Sequence, residues 1–517
     1  MNTGPRFQTT RRSFLRVAAA GTLAGMLPRP GATQSSPSPP PNIVILYADD
    51  MGYGDLATQN PDSKIPTPNL DALARDGMRF TDAHSSSGIC TPSRYALLTG
   101  GYHWRRFHDI VHSFGPSVFS DELTLPEMLR QRGYHTACIG KWHLGWDWES
   151  LRTGPPSDEK TGAKPGDYDW SKPVPGGPTA HGFDYYFGDD VPNFPPYTWM
   201  ENDRILDTPT EMYASDPVPE EGAAEGRPGP MAPGWRLDAV MPRLTEKAVE
   251  WIGAQKYADK PFFLYFPWTS PHAPIVPTDA FKGKSGAGPY GDFVCQSDWS
   301  AGQVLKALDE NGFHDNTLVI FACDNGPETY AYPRIQKYGH RSMGPLRGLK
   351  RDIYEGGHRT PLVMRWPGVI PAGSVCDALV GQVDIMATLA AITGCSLPEA
   401  AAPDSYDLTP LLRGEVPDPP IRTAHVHNTF AKHYAIRQGD WVLIDARSGY
   451  ESRTPEWFDK TYGYEPNPHE QALYNLREDI AQRTNRLEEF PEKAAAMKQL
   501  LKQIQQQGQR FSKIQSR

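Results

Sequence analysis

The 517-residue chain predicts an α/β protein: a large mixed, mostly parallel sheet flanked by helices, followed by a smaller C-terminal α+β subdomain with an antiparallel sheet. Two stretches carry most of that expectation. "NIVILYADD" (42–50) and "TLVIFACDNG" (317–326) are continuous apolar runs that end in acidic residues, the pattern of strands buried on both faces of a parallel sheet. The third observation is alternation: further apolar runs at 134–139, 261–266 and 361–366 are separated by "TPNLDALARDG", "TLPEMLRQRG" and "DIMATLAAITG", helical segments that start at Thr or Asp and stop at Gly.

Ahead of these elements, Thr10-Arg11-Arg12-Ser13-Phe14-Leu15-Arg16 precedes an Ala-rich apolar run from Val17 to Leu27, so residues 1–32 resemble a twin-arginine-type signal peptide. That implies the twin-arginine translocase as a partner and a periplasmic or secreted location. The run is too short to span a bilayer, and no later segment approaches the roughly 18 uninterrupted apolar residues of a transmembrane helix. No membrane association is expected after signal removal. Residues 33–41, "TQSSPSPPP", read as an extended Ser/Pro linker. The main domain is expected over 42–395 and the subdomain over 396–517.

Residues 146–236 are rich in Pro, Gly, Asp and aromatics without a sustained period, and read as long loops around a pocket. Trp146, Trp148, Tyr168, Trp170, Tyr197 and Trp199 either pack within those loops or stack on a ring-shaped ligand; Asp189, Asp190 and Asn193 either cap turns or bind hydroxyls. Beyond 396 the pattern changes to a hairpin-like "HYAIRQGDWVLI" and a Gln-rich amphipathic helix from 491 to about 507.

With 52 Lys plus Arg against 61 Asp plus Glu, the net charge of -9 gives no general attraction for nucleic acid or acidic membranes. The six cysteines show no CxxC spacing, so neither a zinc ribbon nor a disulfide framework is signalled, and Cys138 and Cys323 read as core.

Chemistry concentrates around "SGICTPSRYALLTG" (87–100). Thr91 suits an N-cap and Pro92 the first helical position, which would set Cys90 at a helix N-terminus that favours anions, with Arg94 in the first turn. Alone, this is the setting of a low-pKa thiolate. Yet Asp49, Asp50, Asp324 and Asn325 fall at the ends of two expected strands and offer oxygen ligands, which favour calcium or magnesium over zinc. Taken singly, Asp-Asp and Asp-Asn-Gly are turns more often than metal sites.

Cys90-Thr91-Pro92-Ser93-Arg94 resembles the Cys-x-Pro-Ser-Arg core of formylglycine-dependent type I sulfatases of the arylsulfatase A and N-acetylgalactosamine-6-sulfatase kind, in the alkaline-phosphatase-like superfamily. The stretch from Gly133 to His143, "GYHTACIGKWH", resembles the second signature of that family. "SPHAPIVPTDAFKGKS", "GPYGDFV" and "GLKRDIYEGGHRTP" follow in the family's order. One departure is Gly88, where the first signature has Ser, Ala or Pro.

The resemblance implies an alkaline-phosphatase-like fold, one Ca2+ ion held by Asp49, Asp50, Cys90, Asp324 and Asn325, and conversion of Cys90 to formylglycine (3-oxoalanine) by a formylglycine-generating enzyme. It implies a positive field from Arg94, Lys141 and Lys350, the two lysines binding sulfate, with His272 as leaving-group acid and His143 as the base that returns the hydrated aldehyde to its starting form. The reaction so implied is hydrolysis of a sulfate monoester, with sulfated saccharides attacked at their ends as the expected substrates. A small-molecule aryl sulfate, or a phosphonate or phosphate diester, are the alternatives within the superfamily; a thiol enzyme and a catalytically inert carbohydrate-binding protein are the alternatives outside it.

Overall fold

The computed structural model describes residues 39–155, 163–214, 221 and 225–515, with side chains of the last helix up to residue 507. The signal peptide read at 1–32 and most of the 33–41 linker lie outside the described residues.

A ten-stranded sheet runs in the order Ser374–Cys376, Met78–Phe80, Leu362–Arg365, Thr317–Cys323, Asn42–Ala48, Phe262–Pro267, His135–Ile139, Tyr185–Gly188, Met200–Glu201, Arg204–Ile205. The five strands from Thr317–Cys323 to Tyr185–Gly188 are mutually parallel, and the pairings of Leu362–Arg365 and of the far edge are antiparallel. The mixed, mostly parallel sheet is as expected, and the strands read at 42–50, 134–139, 261–266, 317–326 and 361–366 all lie in it, each starting within a residue of its apolar run.

Burial on both faces explains those continuous runs. Ile43, Ile45 and Tyr47 pack with Leu97, Leu98, Leu125, Met128 and Met386 on one side, while Val44, Leu46 and Ala48 pack with Leu70, Leu73, Leu244 and Val294 on the other. Each such aliphatic side chain removed from water contributes about 1.5–3 kcal/mol. The helix Leu125–Arg130 is fixed at its start by a capping box, Thr124 accepting from the Glu127 N–H and the Glu127 carboxylate accepting from the Thr124 N–H.

Two local expectations are corrected. The helix after Cys90 spans Cys90–Thr99, with Ile89 as N-cap, so Thr91 lies inside its first turn instead of capping it. The Thr91 hydroxyl instead donates across space to the His143 carbonyl at 2.9 Å. The 146–236 stretch is not loop throughout, because it contributes Tyr185–Gly188, Met200–Glu201 and Arg204–Ile205 to the main sheet and a small Glu211–Tyr213 with Gly229–Met231 ribbon.

The C-terminal part holds a four-stranded antiparallel sheet, Ala424–Asn428, Tyr434–Gln438, Trp441–Ile444 and Ala472–Asn475. Gly439, at φ +56, opens the two-residue turn of the hairpin. The last helix starts at Pro491 as read and continues to Gln515; its Ala494, Met497 and Leu501 bury against Val426, Ile436, Leu443 and Leu473. Among the described residues no helix is long and apolar enough to cross a membrane.

Candidate active site

Parallel strands deliver their C-terminal residues to one edge, and ligands of such sheets bind there. Four adjacent strands supply this site: Asp324 and Asn325 follow Thr317–Cys323, Asp49 and Asp50 follow Asn42–Ala48, His272 lies beyond Phe262–Pro267, and Lys141 and His143 lie beyond His135–Ile139. The helix Cys90–Thr99 points its N-terminus at the same edge, and Lys350 arrives on the loop before Glu355–His358. All the site residues read from the sequence therefore converge.

One ligand atom from each of Asp49, Asp50, Cys90 and His272 lies within 4.8 Å of the others. The Asp50 N–H donates to Asp324 Oδ1 at 3.2 Å, and Asn325 Nδ2 donates to Asp50 Oδ1 at 2.6 Å. Asn325 Oδ1 itself is buried without a hydrogen-bond partner among the described residues. That amide oxygen, together with the carboxylates of Asp49, Asp50 and Asp324, is a set of oxygen donors that suits a hard cation. The electrostatics agree. Burial above all, then the nearby Asp324 charge, pushes Asp49 up to about 7 and raises Asp50, although Lys141 and Lys350 oppose both shifts. The residues thus fit a hard divalent cation.

Two lysines and an arginine surround these acids. Lys141 Nζ sits 2.6 Å from Asp49 Oδ2, and Lys350 Nζ sits 2.7 Å from Asp50 Oδ1. Arg94 is fully buried, its Nε and Nη2 converging on Asp324 Oδ2 at 3.1 and 2.8 Å, so this guanidinium positions a metal-side carboxylate. Asp324 is held below the usual carboxylate range despite its burial, by Arg94 first and then by Lys141 and Lys350.

Cys90 is 1% exposed, with Sγ 3.6 Å from Asp49 Oδ1. Burial pushes its thiol up to about 12 even against Lys141 and Lys350, so the unmodified side chain is a protonated, poor nucleophile at neutral pH.

The two histidines differ in what holds their protons. His143 Nε2 donates to the Val111 carbonyl at 2.9 Å, which leaves Nδ1 as a bare, buried lone pair without a partner among the described residues. His143 also takes φ +55, a backbone state uncommon outside glycine, and the Asp190 carboxylate accepts its N–H at 3.0 Å. His272 Nδ1 donates to the Ala273 carbonyl, and its Nε2 faces Asp50 Oδ2 at 3.7 Å. Burial, then Lys350 and Lys141, hold His272 well below the ordinary histidine range. An anion seated against those ammonium groups would offset the lysines' part of that bias.

Around the mouth stand Asn193, Phe194, Arg227, Glu328, Arg351 and Phe430. Arg351, at φ +79, forms a two-pronged ion pair with Glu328 at 2.7 and 2.6 Å, and the Arg227 guanidinium covers the Phe194 ring at 3.6 Å. Of these only Asn193 is singled out by sequence; adjacency to Lys350 is the one signal that points to Arg351. Trp146, Trp148, Tyr168, Trp170 and Tyr197 are buried in packing, and Trp199 stacks on Phe187, so none of these aromatics lines the pocket. Asp189 is buried as well, both carboxylate oxygens lacking partners among the described residues.

Gly88 explains its own departure from the signature. An added Cβ there would meet the Asp352 carbonyl oxygen at 2.9 Å, and the Arg351 N and Thr429 Oγ1 each at 3.1 Å. The site's two halves touch at this glycine, where the Arg351 N–H also donates to the Gly88 carbonyl at 2.7 Å.

Comparison with known proteins places this geometry in a family. The family described as "Sulfatase" matches residues 41–395, and that described as "N-sulphoglucosamine sulphohydrolase, C-terminal" matches residues 349–510. The N-acetylgalactosamine-6-O-sulfatase of Bacteroides thetaiotaomicron is 32% identical over 506 residues, covering 90% of this chain and 93% of that protein. Human arylsulfatase A is 37% identical over 380 residues, covering 72% of this chain and 68% of that protein. A solved structure from a Bacteroides thetaiotaomicron locus for the metabolism of multiple glycosaminoglycans superposes with a TM-score of 0.75 at 30% identity, covering 91% of this chain and 100% of that one.

Proposed function

The chain belongs to the sulfatase family and is a sulfuric ester hydrolase with an alkaline-phosphatase-like fold; from that premise we propose that it is a calcium- and formylglycine-dependent sulfatase that removes sulfate from the ends of sulfated carbohydrates outside the cytoplasm. The convergence of Asp49, Asp50, Asp324 and Asn325 on Cys90, with Lys141 and Lys350 beside them, carries this reading.

A bound Ca2+ held by these ligands would supply concentrated positive charge against the sulfate, and a hydrated formylglycine at position 90 would supply a nucleophilic hydroxyl together with a second hydroxyl that permits its regeneration. The chain's own groups do the rest. Sulfate esters react through loose transition states, so positioning and charge matter most. Lys141 and Lys350 bind the sulfate oxygens. Arg94 holds Asp324 in place. His272, once a sulfate offsets the two ammonium charges, presents a proton on Nε2 to the departing sugar oxygen. His143 accepts a proton on Nδ1, the nitrogen its Val111 bond keeps bare.

The relatives' names support a carbohydrate substrate, as do the polar groups of Asn193, Arg227, Glu328 and Arg351, which stand with Phe194 and Phe430 at the pocket mouth. Deep burial of Cys90 favours a chain end over a chain passing across the site. The arginine pair at Arg11-Arg12 supports twin-arginine export to the periplasm or beyond, with the formylglycine-generating enzyme acting during maturation.

Protein produced with and without a formylglycine-generating enzyme tests the proposal. The Cys90 peptide should show an aldehyde mass in the active preparation, and sulfate release from defined sulfated saccharides should be lost in a calcium chelator. Equal turnover by the unmodified thiol form, or preference for phosphonate diesters over all sulfate esters, overturns it.

A further inference from the structure

A second buried cluster lies outside this chemistry. His84 stands on Ala83–His84, in the segment that leads into Cys90; His358 ends Glu355–His358, beyond Lys350; His425 and His427 stand on Ala424–Asn428 of the four-stranded sheet. All four are fully buried. None approaches the catalytic pocket's lining.

His84 Nε2 sits 2.8 Å from Asp82 Oδ1, and His358 Nε2 sits 3.3 Å from the Ile353 carbonyl oxygen. Neither a carboxylate nor a carbonyl can donate, so each neutral ring commits its one proton to Nε2. Both Nδ1 atoms then carry lone pairs, and they face each other at 3.1 Å. Two lone pairs at that distance need a proton or a metal ion between them. Two nitrogens bound to one tetrahedral zinc, at about 2.0–2.1 Å each, stand roughly 3.3–3.4 Å apart.

A third ring completes the set. His427 has neither nitrogen hydrogen-bonded among the described residues, and one ligand atom from each of His84, His358 and His427 lies within 4.8 Å of the others. Its ring stacks on His358 at 3.6 Å between centroids, so binding would splay that pair. His425, likewise partnerless at both nitrogens, stacks on His427 at 4.5 Å. Behind His84, the Asp82 carboxylate is gripped by Arg359 at 3.3 Å and Arg437 at 3.0 Å, the carboxylate–histidine support found behind metal-bound imidazoles. Glu355 Oε1 is a further buried carboxylate oxygen of the same cluster without a hydrogen-bond partner among the described residues.

We propose that His84, His358 and His427 bind one zinc ion, with His425 beside it, and that this ion staples the four-stranded sheet to the segments carrying Cys90 and Lys350. Imidazole ligands select zinc here as the oxygen ligands of the catalytic centre select calcium. The two ends it joins already touch the site: Ser85 N–H donates to the His358 carbonyl at 2.8 Å, and Gly88 N–H to Thr429 Oγ1 at 3.2 Å.

Full-length protein dialysed against zinc chloride in excess calcium, and then against metal-free buffer, tests this by elemental analysis. One equivalent of zinc should remain, also in a Cys90→Ala background, and should raise Tm. His427→Gln should lower zinc affinity at least tenfold while calcium binding is unchanged. Should that variant fail to fold, X-ray absorption on the zinc-loaded unmutated protein decides, with nitrogen-only protein ligands expected. Zinc well below one equivalent, zinc unaffected by His427→Gln, or an oxygen- or sulfur-dominated spectrum overturns the proposal and leaves a proton shared between His84 and His358.

Discussion

The imidazole of His143 gives its Nε2 proton to the Val111 carbonyl at 2.9 Å and keeps Nδ1 bare in the pocket. The same residue sits at φ +55, where asparagine is among the side chains that fit. His143→Asn therefore keeps the backbone and removes the proton acceptor. We expect kcat to fall about 10²–10⁴-fold with Tm nearly unchanged, measured on the best sulfated saccharide. A near-wild-type kcat would remove His143 from the reaction.

Lys350 is the buried partner of Asp50 at 2.7 Å. Lys350→Ala leaves that carboxylate unpaired, which for buried pairs costs about 3–5 kcal/mol. Calcium at the same carboxylate would restore a counter-charge. The variant should be strongly destabilised in chelator and largely recovered by added calcium, with a calcium-dependent gain in Tm larger than that of the unmutated protein. Equal gains in the two proteins would show that Asp50 does not hold the ion.

The acidic part of the candidate site is legible because it obeys a rule of parallel sheets, whereas Lys141, His143, His272 and Lys350 are read from the family resemblance alone. Apolar runs that end in Asp-Asp and Asp-Asn-Gly mark the strands and place their ligands at one edge in a single reading. What escaped is what depends on long-range approach. Thr91 has every local attribute of an N-cap, yet its hydroxyl finds the His143 carbonyl and tertiary contact overrides propensity. The Trp and Tyr residues near 146–199 look alike in sequence whether they line a pocket or fill a core, and packing took them. Arg351, Glu328 and Arg227 come from separate loops, and His84 and His358 reach the strand that carries His425 and His427 from separate segments, so only the folded chain brings each set together.

Cys90 separates attack from regeneration. Cys90→Ala should fold, bind calcium and show no turnover. Cys90→Ser keeps a hydroxyl that can attack but lacks the second one, so it should give a single burst of desulfated sugar without continued release of sulfate. Rapid-quench kinetics at saturating substrate read both, and multiple turnover by either variant would sink the formylglycine mechanism.

Asp189 supplies a pH signature independent of catalysis. Burial first, then the Asp190 charge, pushes it up to about 7. Its folded-state value lies above the roughly 3.9 of an unfolded chain, so the native state holds the extra proton between the two. Its contribution to stability is full below the unfolded value and is lost as pH rises through about 7, with a slope of at most about 1.4 kcal/mol per pH unit. Asp189→Asn should flatten that fall and be the more stable protein at pH 8, as read by thermal unfolding across pH. Parallel curves for the two proteins would contradict the assignment.

Gly88 tests whether the seam between the Cys90 and Lys350 segments sets activity. Any Cβ at this position presses on the Asp352 carbonyl at 2.9 Å, and that contact is backbone, which cannot swing aside as a flexible side chain would. The Arg351 N–H, bonded to the Gly88 carbonyl at 2.7 Å, must move with it. Overpacking of this kind costs about 1–3 kcal/mol. Gly88→Ala should lower Tm accordingly, and because Lys350 precedes Arg351 on the same loop, KM for sulfated substrate should rise as well. Thr429→Ser leaves the Thr429 Oγ1 contact in place, so it should restore neither stability nor KM in the double variant, since the governing clash is with Asp352. Recovery in Gly88→Ala/Thr429→Ser would instead locate the seam's strain at the four-stranded sheet.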